Sequence, residues 1–184
     1  MNTECGTLPV LGIAAWSGTG KTTLLVQLLP LLRAKGLRVG MIKHAHHDFD
    51  IDHPGKDSYL LREAGAEQML IASDRRWALM VETPGPNEAS LGEIIKRLDH
   101  RRLDLILVEG FRHEVFPKLE LHRGALGKPL LFPQDTSIIA IASDTLLDTS
   151  LPQLNLNDAA SIADFVADFA TDSTRTRPST GPIP

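Results

Sequence analysis

Short apolar runs alternate along the chain with longer segments whose apolar positions recur at helical spacing. PVLGIAA (9–15) reads as a buried strand ending in a glycine-rich loop, and LRVGMIK (37–43) as a second strand. Between them KTTLLVQLLPLLRAK (21–35) carries Leu24, Leu25, Leu28, Leu29 and Leu32, an apolar stripe wide enough for a helix to lay on a core. Pro30 has no N–H to offer the Val26 carbonyl, which predicts a kink or short break, and Gly36 predicts the stop. DSYLLREAG (57–65) reads as a short helix with Asp57 as its cap and Gly65 at its end. QMLIAS (68–73) and WALMVE (77–82), separated by Asp74-Arg75-Arg76, read as a hairpin. A helix at SLGEIIKRLD (90–99) follows, then strands at LDLILVEGF (103–111), PKLELHR (117–123) and SIIAIAS (137–143), and a closing amphipathic helix at DAASIADFVADF (158–169). This alternation predicts an α/β fold, a mostly parallel sheet with helices on both faces, which the hairpin would make mixed.

At 184 residues the chain suits one domain, expected over 1–170. The tail TDSTRTRPSTGPIP (171–184) has Ile183 as its single large apolar residue and is expected to be disordered. A net charge of −4 without a dense basic run argues against a nucleic-acid backbone as partner. No apolar run is long enough to span a membrane, and the opening MNTECGTLPV lacks the basic and apolar regions of a secretory leader. Cys5 is the single cysteine, so no internal disulfide can form, and a cytoplasmic location is expected.

The segment Ala15-Trp16-Ser17-Gly18-Thr19-Gly20-Lys21-Thr22 matches the phosphate-loop pattern G-x-x-x-x-G-K-[ST] at every position but the first. Such a loop turns successive backbone N–H groups inward onto phosphate oxygens, which calls for glycine where φ is positive. Gly18 and Gly20 meet that need, Lys21 reaches the β/γ-phosphates, and the Thr22 hydroxyl can ligate Mg²⁺. Ala15 is compatible if its φ is negative. A second carboxylate for the metal belongs at the end of a neighbouring strand; LDLILVEG offers Asp104 and Glu109. Asp104 stands five residues earlier, about 16 Å back along an extended strand, so Glu109 is the better placed.

KHAHHDFDIDHPGKDS (43–58) follows the second strand and should emerge at the same edge. It supports three readings: a transition-metal site built on its histidines, a switch-type loop with Asp50 or Asp52 near Mg²⁺ and Lys43 or Lys56 toward anions, or a solvated loop. Lys43 is the residue to single out. The guanine signature Asn-Lys-x-Asp is absent; Asp144, after SIIAIAS, is either a base acceptor or a plain turn residue.

Together AAWSGTGKTTLL, IKHAHHDFDIDHPGKDSY, RWALMVETP and LDLILVEGFRHE resemble the MobB-type family of molybdopterin-guanine dinucleotide biosynthesis adapters, over roughly residues 8 to 170. The resemblance implies a P-loop NTPase-like domain that binds GTP with Mg²⁺ and hydrolyses it weakly. It also implies a homodimer partnered with the molybdenum cofactor guanylyltransferase, and leaves open contact with molybdopterin or its acceptor enzymes. Residue by residue, it places the phosphate site on Gly18, Thr19, Gly20, Lys21, Thr22 and Thr23 and the acidic strand end on Glu109. No glutamine stands out to position an attacking water, and no internal arginine finger stands out either, with Arg75, Arg76 and Arg112 left open. The competing classes are a P-loop small-molecule kinase, a metallochaperone NTPase using the histidine loop, and an interaction module with a vestigial loop. For the kinase, 110–117 and 124–136 offer only a thin lid.

Overall fold

The computed structural model describes residues 8–45, 50–83 and 89–175. They fall into two compact units, Met1–His44 with Leu91–Pro184, and Ala45–Ser90.

The first unit is built on a six-stranded sheet. Its strands are β1 Val10–Ala14 and β2 Val39–Lys43, while α1 spans Lys21–Ala34 between them. The second unit contributes α2 Asp57–Glu63, β3 Gln68–Ala72 and β4 Trp77–Val81. The chain continues with α3 Leu91–Ile95, β5 Leu105–Glu109, β6 Lys118–His122, β7 Ile138–Ser143, β8 Gln153–Asn155 and α4 Ala159–Arg175. Strand order is β2-β5-β1-β6-β7-β8 and every pairing is parallel. The hairpin β3–β4 forms a separate antiparallel sheet in the second unit, so the large sheet is wholly parallel rather than mixed.

A strand covered on both faces reads as an unbroken apolar run, and LILV of β5 shows why. Leu105 and Leu107 join the larger core with Leu24, Leu28 and Leu32 of α1 and Ile162 and Val166 of α4. Ile106 and Val108 point the other way, into a smaller core with Ile42, Leu91 and Phe111. Asp158 caps α4, its carboxylate accepting from the Ala160 and Ser161 N–H groups at 3.1 Å.

Several local expectations change. Helix α1 runs through Pro30 without a break. Its Val26, whose carbonyl loses a donor, lies on the exposed side of the helix. Lys56, not Asp57, is the N-cap of α2, and Asp57 opens the helix instead. The α3 helix stops at Ile95 and gives way to a turn and a 3₁₀ segment at His100–Arg102. Strand β8, short and polar, was not foreseen. Helix α4 reaches Arg175, five residues into the expected tail; 176–184 lie outside the described residues.

In the second unit, α2 and the hairpin gather around Arg62. Its Nη2 lies 2.7 Å from Asp50, Nη1 3.5 Å from Glu82, and Nε 3.9 Å from Asp52. One hairpin face carries Met69 and the buried Met80, whose sulfur lies 3.6 Å from Arg62 Nη1. The cross-strand pairs Leu70–Leu79 and Ala72–Trp77 lie on the opposite face. There Leu70 is 55% and Trp77 64% exposed, an apolar surface left open.

Candidate functional site

Because the pairing is parallel, the carboxyl ends of the strands share one edge, where α/β sheets bind ligands. In sheet order from β2 to β7 that edge presents Lys43, Glu109, the loop opening at Ala15, Arg123 and Asp144.

The loop has the geometry its glycines foretell. Gly18 and Gly20 have φ of 83° and 102°, and Gly20 is the N-cap of α1 in left-handed conformation. Phe111 is the one non-glycine residue with positive φ among the described residues, so Ala15 is unstrained and needs no glycine. Lys21 donates from Nζ to the Ala15 carbonyl at 3.2 Å and the Trp16 carbonyl at 3.3 Å, folding back over the loop. Thr22 and Thr23 are exposed at the start of α1. Thr19 is buried, and its hydroxyl donates to the Trp16 carbonyl at 2.9 Å, so it offers a ligand its main chain. Trp16 is tied in turn through its indole N–H to the Pro129 carbonyl at 2.7 Å.

Glu109 sits beside this loop. It pairs in register with Ile13 of β1 and with Lys43 of β2. Its side chain is largely buried, with Lys43 Nζ 3.8 Å away, a long and partly exposed contact worth little in stability. The two therefore form an opposite-charge pair at the edge, one suited to a metal and one to a phosphate. The turn that follows is strained at Phe111, a non-glycine residue with φ 50°, after Gly110 at φ 100°. Phe111 holds this conformation because its ring is buried and stacks on His44, centroids 4.6 Å apart. Asp104, at the far end of β5, clamps Arg38 with contacts of 2.7 and 2.9 Å and has a structural role. The Arg38 guanidinium holds its carboxyl below the usual carboxylate range.

On the other side of the loop stand Asp144 and Arg123. Asp144 accepts from the Gly124 N–H at 2.8 Å and from Arg123 at 3.3 Å, so its carboxylate is engaged by the protein itself. No motif singles out Arg123; the one local signal is a basic residue immediately after a strand that ends at the ligand edge. Behind them, β6 buries two charges. Lys118 donates to the Glu114 carbonyl (2.7 Å), Asp135 (2.8 Å), Ser137 (2.9 Å) and the Arg112 carbonyl (3.2 Å). Glu120 accepts the Leu131 and Phe132 N–H groups at 2.7 and 2.9 Å, and burial pushes its carboxyl above the usual range.

Asp50 belongs to the second unit, where its carboxylate serves Arg62 and the Asp52 N–H (2.9 Å). That backbone bond, followed by Arg62, holds it below the ordinary carboxylate range. His46 and His47 lie outside the described residues; among those described, no group of three or more His, Cys, Asp or Glu side chains could hold a metal ion. No helix of the described residues is long and apolar enough to cross a membrane.

Comparison with known proteins identifies the family. The family model described as molybdopterin guanine dinucleotide synthesis protein B matches residues 10–144, from the start of β1 to the turn after β7. The molybdopterin-guanine dinucleotide biosynthesis adapter protein of Escherichia coli K12 is 52% identical over 163 residues, covering 88% of this chain and 93% of that protein. Its counterpart in Haemophilus influenzae is 44% identical over 163 residues, with 88% and 89% covered. A crystal structure of molybdopterin-guanine biosynthesis protein B superposes with a TM-score of 0.71 at 26% identity, covering 88% of this chain and 99% of that one. The chain thus belongs to the family of molybdopterin guanine dinucleotide synthesis protein B.

Proposed function

We propose that this chain is a GTP-binding adapter in molybdopterin-guanine dinucleotide biosynthesis, acting beside the guanylyltransferase that joins GMP to molybdopterin. The observation that carries the reading is the match to adapter proteins across the phosphate loop and the whole ligand edge. The residues fit the nucleotide: two positive-φ glycines open the loop, and Lys21 is free to exchange two carbonyl partners for phosphate oxygens. Thr22 and Glu109 would hold Mg²⁺, whose charge would offset that of the phosphates. Lys43, beside Glu109, would face the anion. Hydrolysis is expected to be weak and the adapter role to rest on binding.

The open apolar hairpin face around Leu70, Leu79 and Trp77 supports a homodimer, since a second copy would cover a surface that is costly to leave in water. Light scattering at micromolar concentration should give twice the chain mass; a strict monomer would remove the dimer. The adapter role is tested by measuring molybdopterin-guanine dinucleotide formation by purified guanylyltransferase with and without this chain. Faster or more complete transfer, lost with Lys21→Ala, is the expected result. No effect at any ratio of the two proteins would overturn it.

A further inference from the structure

The guanidinium of Arg123 reaches the phosphate loop from more than a hundred residues away in the chain. Its Nε–H donates to the Thr19 carbonyl at 3.3 Å, and its Nη2 lies 3.9 Å from where a Cβ on Gly20 would sit. Asp144 holds the other side of the fork, Oδ2 lying 3.3 Å from Nη1, and is itself fixed by the Gly124 N–H at 2.8 Å. The result is a continuous link from the end of β7, through the end of β6, to the loop that follows β1.

The contact falls on a peptide where orientation matters. The Thr19–Gly20 bond is trans, as are all the described peptides, so its carbonyl and its N–H point in opposite directions. Drawing the Thr19 carbonyl toward Arg123 therefore turns the Gly20 N–H away from Arg123. The angle that sets this peptide against the axis of α1 is φ of Gly20, which is +102° and open in practice to glycine alone. Glycine makes that orientation possible without making it preferred, because it is equally at ease elsewhere. The Thr19 side chain cannot select it, since its hydroxyl is committed to the Trp16 carbonyl at 2.9 Å. A fixed donor on the carbonyl can.

We propose that Arg123, held by Asp144, is a positioning residue for the phosphate loop: by binding the Thr19 carbonyl it presets the Gly20 N–H as a donor to a nucleotide polyphosphate. The proposal rests on the nucleotide reading above and adds a residue that acts through the backbone. Preorganisation of this kind raises affinity by removing an ordering cost at the moment of binding.

The test titrates the full chain with Mg·GTP by calorimetry for wild type, Arg123→Ala and Lys21→Ala, and follows the Gly20 amide proton by ¹⁵N-resolved NMR. Arg123→Ala should weaken Mg·GTP about tenfold, the scale of one charge-assisted hydrogen bond. Its nucleotide-free melting temperature should stay within about 3 °C of wild type, because the lost ion pair is partly exposed. At saturating nucleotide the downfield Gly20 shift of the wild type should be reduced in the variant, a change that mere loosening of the fold would not confine to one amide. Wild-type affinity and an unaltered Gly20 shift in Arg123→Ala, with binding lost in Lys21→Ala, would overturn the positioning role alone. Unchanged affinity in Lys21→Ala would overturn it together with the nucleotide reading beneath it. If Arg123→Ala does not fold, Arg123→Lys decides: its ammonium cannot span Thr19 and Asp144 as the fork does, so a smaller loss in the same direction is expected, and wild-type behaviour would overturn the proposal.

Discussion

Lys118→Met should destabilise the protein more than any single change at its exposed surface. The Lys118 side chain is 2% exposed, and its ammonium has three protons for four acceptors, the nearest at 2.7, 2.8 and 2.9 Å. Methionine keeps an apolar stem of similar length beside Phe116, so the packing term changes little. What is lost is the charge partner of Asp135 and the donor to the Glu114 carbonyl. Breaking a buried pair by removing one member costs about 3–5 kcal/mol. Asp135 is 27% exposed and keeps the Ser137 N–H at 3.0 Å, which places the expected cost near the lower end, about 3 kcal/mol. With a urea m-value of about 2 kcal/mol/M, the midpoint should fall by about 1.5 M at unchanged slope. Adding Asp135→Asn to Lys118→Met should cost less than the sum of the two single changes, since the second removes a group the first has orphaned. A midpoint shift below about 0.5 M, or strict additivity of the pair, would refute the claim that this buried ammonium ties the segments 112–118 and 135–137 together.

Other consequences follow from the same geometry. Gly110→Ala forces a Cβ to 2.4 Å from the Cβ of His44 at a φ of 100°, so a loss of about 2–3 kcal/mol in urea unfolding is expected; a neutral result would mean the turn after Glu109 is not held as described. Asp104→Asn should lower stability by about 1 kcal/mol or less, discounted because the pair is partly solvated. The native carboxyl titrates below its unfolded value, so its contribution is present above about pH 4 and is lost as pH falls through the depressed native value. The gap between wild type and variant should accordingly close in acid, and a gap independent of pH would contradict the ion-pair origin. Glu109→Gln should reduce the Mg²⁺-dependent part of GTP affinity about tenfold while leaving binding in EDTA unchanged; equal losses in both would assign Glu109 to the fold rather than the metal.

Much of the fold is legible because every strand of the parallel sheet except the short, polar β8 carries its own apolar signal. The run LILV announced burial on both faces, and the leucine stripe of α1 named the helix that covers one of them. The geometry of the loop before α1 is legible because its two glycines mark the positions of positive φ. Less was legible where long-range partners decide. KLELH alternates as a half-exposed strand would, and nothing local says that segment 131–137 arrives to satisfy Lys118 and Glu120. Arg123 matters through a carbonyl 104 residues earlier, a relation no periodicity encodes. Asp50 is expected near Mg²⁺ in a switch-type loop, and nothing local says that Arg62, twelve residues later on α2, pairs with the same carboxylate.

The central claim is that the loop from Ala15 to Thr22 holds a guanine nucleotide, and calorimetric titration tests it most directly. Wild type and Lys21→Ala would each be titrated with Mg·GTP and Mg·ATP under one buffer condition. Saturable binding that prefers GTP and disappears in the variant is the predicted result. Equal or tighter binding of ATP, or GTP affinity untouched by loss of Lys21, would contradict the account.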